Sequence, residues 1–146
     1  MIAQLNRSFN RLADHQDTGI LLLRLTIGIL LLFHGVAKIE HGVGWIVQML
    51  QAAGLPGFIA YGVYIGEVVA PILIILGVFT RISGLIAAFT LVVATLMVGI
   101  GNFFTLTKVG AWALEVEVEA LYFFGGLIIT LVGSGRYSVV SNPDYR

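Results

Sequence analysis

The 23 residues from Ile82 to Phe104 carry no charged side chain, which leaves the backbone few choices. Where water is absent, every N–H and C=O must be paired within the protein, as in a helix or a closed β-barrel. Barrel strands are short and alternate in polarity, whereas this run is unbroken, so it is read as a membrane helix. Three similar runs lie at about residues 19–39, 58–79 and 113–133. A crossing helix takes about 20 residues. The 146-residue chain therefore has room for four spans and short connections. The expected fold is all-α, an integral membrane four-helix bundle forming one domain over residues 1–146, with short interfacial helices.

Composition supports this class. Hydrophobic residues make up 58% of the chain and charged residues 11%, against about 25% charged in soluble domains. A net charge of zero argues against nucleic acid as a partner. The absence of cysteine excludes disulfide exchange, iron–sulfur ligation and cysteine-bound zinc. Ile20 to Phe33 could form a signal core behind Arg7 and Arg11, but His34 to Lys38 is a poor cleavage site. A retained first span is expected.

Basic residues set the orientation. Arg7, Arg11, Arg81, Arg136 and Arg146 fall on one side of the spans, Lys38 and Lys108 on the other. The positive-inside bias places both termini and the turn at 80–81 in the cytoplasm, in keeping with a bacterial inner membrane. In the N-terminal segment 1–18, Ile2, Leu5, Phe9 and Leu12 form one apolar stripe. That stripe suits a helix on the cytoplasmic membrane surface, or an extension of the first span. Trp45, Ile46, Met49, Leu50 and Ala53, ended by Gly54-Leu55-Pro56, suit a short interfacial helix on the outer side. Residues 134–146 form a cytoplasmic tail.

Within the run from Phe58 to Phe79 lie one acid, Glu67, and a proline four residues later, Pro71. A charge at mid-membrane costs at least about 2.5–3.5 kcal/mol and normally faces a bundle interior or polar cavity. Pro71 has no N–H for the Glu67 carbonyl and presses against it. One turn thus holds a buried acid and a freed backbone acceptor. Gly62 and Gly66 form a small-xxx-small pair expected to pack against a neighbouring helix on another face.

A depth map follows from the helical rise of about 1.5 Å per residue. From the cytoplasmic end, Arg24 lies about 8 Å deep, Glu67 about 18 Å, Glu119 about 21 Å and His34 about 22 Å. Lys38 falls near the outer boundary. Helical side chains lean toward their own N-terminus, so His34 and Lys38 converge on Glu67 and Glu119 while Arg24 leans away. Arg24, Gly28, Gly35, Lys38 and His34 share one stripe that should face the bundle. Arg24 either snorkels to phosphate, braces neighbouring helices or joins the site. Lys38 is a site residue or an interfacial anchor, and Glu67 a site residue or structural glue. Glu115 shares a helical face with Glu119, while Glu117 points to solvent. Tyr61, Tyr64, Trp112 and Tyr122 supply rings that suit interface belts; of these, Tyr64 and Trp112 are assigned to a binding site with Lys38 and Arg24.

Several chemistries are set aside. Haem ligation lacks a second suitably placed histidine. A divalent metal on Glu67, Glu119 and His34 is disfavoured by Lys38 and by the lack of compact ligand spacing. No phosphate-binding glycine loop and no nucleophile elbow occurs.

Arg24-Leu25, Gly28 and Phe33-His34-Gly35 with Lys38 resemble the first-span signature of the DoxX family of small four-helix membrane proteins. The resemblance continues through Gly54-Leu55-Pro56, Gly66-Glu67, Leu76-Gly77 and Thr80-Arg81. It closes with Glu119-Ala120-Leu121-Tyr122 and Gly133-Ser134-Gly135-Arg136-Tyr137-Ser138, covering roughly residues 19–138. Ser134 stands where the family often has proline, and Val139 where it often has aspartate. Some relatives are associated with thiosulfate:quinone oxidoreduction or membrane redox complexes, so the resemblance implies quinone-linked function.

The leading expectation is a quinone- or quinol-interacting subunit of a membrane redox system. His34 and Lys38 would donate hydrogen bonds, and Glu67 and Glu119 would relay protons. No motif for a bound electron carrier is present, so a redox partner protein is expected. A scaffold within a homo-oligomer or larger membrane complex is the alternative. A proton or small-solute transporter is the third reading.

Overall fold

The structure, a computed structural model, describes residues 1–99 and 117–146. Among these residues every regular element is a helix and none is a strand. Helix α1 spans Ile2–Ala13, α2 Gln16–His41 and α3 Gly44–Ala52. The second membrane segment is composite: a 3-10 turn at Gly57–Gly62, a π-helical turn at Ile65–Val69, and α4 at Ala70–Leu76. Helices α5 (Thr80–Gly99) and α6 (Glu117–Val132) follow. Among the described residues, three stretches are long and apolar enough to cross a membrane: Gln16–His41, Gly57–Leu76 and Thr80–Met97. The start of the expected fourth span, with Trp112 and Glu115, lies outside the described residues, as does the end of the third.

Local chemistry explains the boundaries. The second segment was expected to reach Phe79 but stops at Leu76. Gly77 adopts a left-handed conformation at φ 77°, and the Gly77 and Val78 amides turn back onto the Ile74 and Leu73 carbonyls. This arrangement closes the helix end and favours glycine, which has no Cβ to strain. Of the two readings of the N-terminal segment, continuation of the first span is the one that fails. The helix breaks at Asp14–His15, and α1 stands apart with none of its residues buried. Helix α3 forms where the short interfacial helix was expected; Gly54 at φ 76° follows its end.

The core sits where α2, α4, α5 and α6 meet, around Ile27, Leu31, Ile74, Ala87, Leu91 and Ile129. Glycine lets these helices approach. A Cβ on Gly84 would fall 2.7 Å from the Gly126 carbonyl oxygen, and one on Gly126 would fall 2.8 Å from that of Gly84. Helices α5 and α6 therefore touch backbone to backbone, a contact that small residues permit in lipid. The expected Gly62–Gly66 packing pair is half realised. A Cβ on Gly66 would fall 1.8 Å from the Thr90 hydroxyl oxygen, whereas Gly62 has open space beside it.

Candidate functional site

Pro71 shapes the site first. Its ring crowds the carbonyl four residues back and removes a hydrogen bond. The chain before it widens into the π-helical turn Ile65–Val69, in which the Ala70 amide reaches back five residues to the Ile65 carbonyl. Such single turns within helices recur at functional sites. Glu67 sits inside this one, 5% exposed. Its carbonyl, which Pro71 cannot satisfy, lies against α2 at Gly35. A Cβ at Gly35 would stand only 2.1 Å from that oxygen and 2.7 Å from a Val68 methyl. Gly35→Ala should therefore push the two spans apart and cost about 1–3 kcal/mol, read as a lower melting temperature in detergent.

That close approach brings Lys38, one turn beyond Gly35, onto the Glu67 carboxylate. Lys38 Nζ donates to Glu67 Oε2 in a salt bridge whose side chains are 19% and 7% exposed. The Tyr64 hydroxyl donates to the Lys38 backbone carbonyl at 3.0 Å, tying the second segment to the end of α2. Beside the pair lies a cavity of about 320 Å³. Its walls are almost wholly apolar: Ile46 and Leu50 of α3, Val63 of the second segment, and Phe89, Val93 and Met97 of α5. Lys38, Glu67 and the Thr90 hydroxyl are the polar side chains among its lining residues, and Thr90 already donates to the Ile86 carbonyl at 2.9 Å. An apolar chamber with a few convergent polar groups is the usual form of a small-molecule site.

The other expected members are placed elsewhere. His34 precedes Gly35 by one residue, about 100° around the helix, and so faces α6 instead of the cavity. It is exposed, with its ring edge-on to Tyr122 at 5.7 Å. Glu119, half-buried in the first turn of α6, does not line the cavity. Tyr64 acts through its hydroxyl on the Lys38 backbone and is not among the lining residues. Trp112 lies outside the described residues. No group of three or more metal-ligating side chains occurs among the described residues.

Arg24 is far from the pair and buried to 1%. Its guanidinium donates to the carbonyls of Ile74 at 2.8 Å, Ile75 at 2.9 Å and Ser134 at 2.6 Å, and to that of Tyr137. The cation thus rests on the C-terminal carbonyls of α4, where the helix dipole favours positive charge, and ties in the segment after α6. Arg24 thus braces neighbouring segments and does not line the cavity to which it was assigned with Lys38. Gly77 is doubly constrained here, since a Cβ would come within 2.5 Å of Arg24 Nη2.

Sequence reasoning overlooked the π-helical turn and the apolar lining from α5. The proline four residues after the acid signalled the first. The second was signalled by Ile86, Phe89, Thr90, Val93, Ala94 and Met97, which recur at helical spacing on one face of an uncharged span.

The sequence profile of the DoxX family matches residues 19–100. The chain is 35% identical over 130 residues to a Bacillus subtilis (strain 168) protein named "Putative oxidoreductase CatD", covering 89% of this chain and 85% of that protein. It is 30% identical over 125 residues to "Inner membrane protein YqjF" of Escherichia coli (strain K12), covering 85% of this chain and 91% of that one. No solved structure matches significantly.

Proposed function

The chain belongs to the DoxX family of membrane proteins, and on that premise we propose that it is a quinone- or quinol-interacting subunit of an inner-membrane redox system. The observation that carries this reading is the Lys38–Glu67 salt bridge set in the wall of an apolar cavity. The names of the two relatives, "Putative oxidoreductase CatD" and "Inner membrane protein YqjF", agree with it. In this reading α6 belongs to the fourth span of the bundle. Both termini lie in the cytoplasm, and a redox partner protein or further copies of the chain complete the system.

The residues fit such a ligand. A quinone ring is flat and apolar, with carbonyl oxygens that accept hydrogen bonds, and it carries two electrons and two protons between proteins when bound. The Lys38 ammonium has three donors, of which Glu67 engages one in the structure. A second donor is then available to a carbonyl in the cavity. Glu67 accepts a proton or returns one at the same point, because its carboxylate and the Lys38 ammonium share a hydrogen bond. The apolar walls exclude water, so a proton reaching the ring must pass through this pair. His34 and Glu119 are not needed at the cavity, and a proton route toward the outer side through them is a secondary part of the proposal.

Purified protein should retain a quinone in gentle detergent, visible by native mass spectrometry together with copy number. Glu67→Gln should abolish proton-coupled reduction in the protein that stays folded, with some loss of stability because Lys38 is left without its counter-charge. Protein that carries no quinone and binds none when titrated with a decyl-tailed ubiquinone would overturn the proposal.

A further inference from the structure

We infer that the cavity beside Lys38 and Glu67 is filled sideways from the bilayer, between the second membrane segment and α5, by a ligand whose head enters while its tail stays in lipid. The inference rests on the quinone reading and adds the route. The innermost lining residues are sealed: Ala60 is 3% exposed, Ile46 and Leu50 5% each. The rim is different. Ile59, Ile65 and Phe89 line the same cavity yet are 43%, 54% and 66% exposed. All three lie on segments apolar enough to cross the membrane, so the open side faces hydrocarbon. Toward the aqueous end the cavity is roofed by α3, whose Ile46 and Leu50 point into it. Trp45, at the edge of that roof and half exposed, has the amphipathic ring favoured where hydrocarbon meets headgroups.

Volume points the same way. At about 320 Å³ the chamber lies at the lower end of ligand pockets, roughly 300–1,000 Å³. It accommodates a substituted ring but not a polyprenyl tail, which must leave through the rim. The polar groups on the wall orient the head, with the carbonyl toward Lys38. The exposed rim marked by Ile59, Ile65 and Phe89, bounded by the Gly66–Thr90 contact, then functions as a portal, and Phe89 on α5 controls passage.

The chain contains no cysteine, so Phe89→Cys and Ile65→Cys each introduce a single thiol for a nitroxide label; Leu121→Cys, 65% exposed on α6, is the control away from the cavity. In reconstituted vesicles, labels at 89 and 65 should collide more with lipid-soluble oxygen than with a water-soluble nickel chelate. A bulky group in a portal obstructs passage both ways. Association and release of decyl-tailed ubiquinone should therefore each slow by about tenfold, while the label at 121 changes neither rate. Unchanged rates with the label at 89 and at 65 would overturn the portal and leave quinone binding intact. Greater collision with the nickel chelate would move the route to water and also overturn it. Absence of quinone binding in the unlabelled protein would remove the reading beneath it.

Discussion

Lys38→Met should destabilise the protein by about 3–5 kcal/mol, because it leaves the Glu67 carboxylate buried without its counter-charge. Adding Glu67→Leu in the same chain should restore most of that stability. A buried ion pair replaced as a unit by apolar side chains is often neutral or stabilising, since neither ion then has to be desolvated. The check is a double-mutant cycle by thermal unfolding in detergent, with quinone titration alongside. If the pair is only glue between α2 and the second segment, the double variant regains every property of the parent. If it serves the cavity, the double variant is stable and binds quinone weakly. A stable double variant with full quinone affinity would reassign the pair to a scaffold role.

Arg24→Ala should have the other large effect, a loss on the order of 3–5 kcal/mol that no second replacement recovers simply. The reason lies in the number of groups left behind. Four backbone carbonyls, from Ile74, Ile75, Ser134 and Tyr137, are held by one guanidinium. The Ile74 carbonyl keeps the Gly77 amide, while those of Ile75, Ser134 and Tyr137 lose this donor; each buried acceptor left without one costs about 1–3 kcal/mol, and the losses are not independent. Arg24→Lys should recover little, because an ammonium lacks the planar fork that reaches acceptors from several directions. Size-exclusion profiles in detergent and proteolysis of the C-terminal tail would register the loss. A folded, protease-resistant Arg24→Ala protein would show that the segment after α6 docks without this clasp.

These two residues show where the sequence could be read and where it could not. Glu67 and Lys38 were legible because a charge in an apolar helix has few comfortable positions, and the lean of helical side chains toward their N-terminus brings Lys38 down from the outer boundary toward Glu67. Arg24 was separable from them by the same logic, but its partners were not: backbone carbonyls leave no trace in side-chain chemistry. His34 was misgrouped because a stripe a third of a helix wide can face two neighbours. Ile27, on the same flank as His34, packs against Gly125 of α6, while Gly35 meets the Glu67 carbonyl. The apolar spans were evident from hydropathy, whereas the cavity depends on the irregular turns of the second segment, where Gly66 meets Thr90 of α5 while Ala60 and Val63 line open space. Hydropathy is blind to that local geometry.

The π-helical turn has a consequence for the segment as a whole. A regular helix has one rotational phase, so the directions faced at its two ends are fixed relative to each other. Inserting one extra residue rotates the part before the turn by about 100° relative to the part after it. After the turn, Ile74 and Ile75 offer their carbonyls to Arg24; before it, Ala60 and Val63 line the cavity. The turn thus sets the phase between an anchoring half and a cavity-lining half, an offset that a regular helix of this sequence would not have.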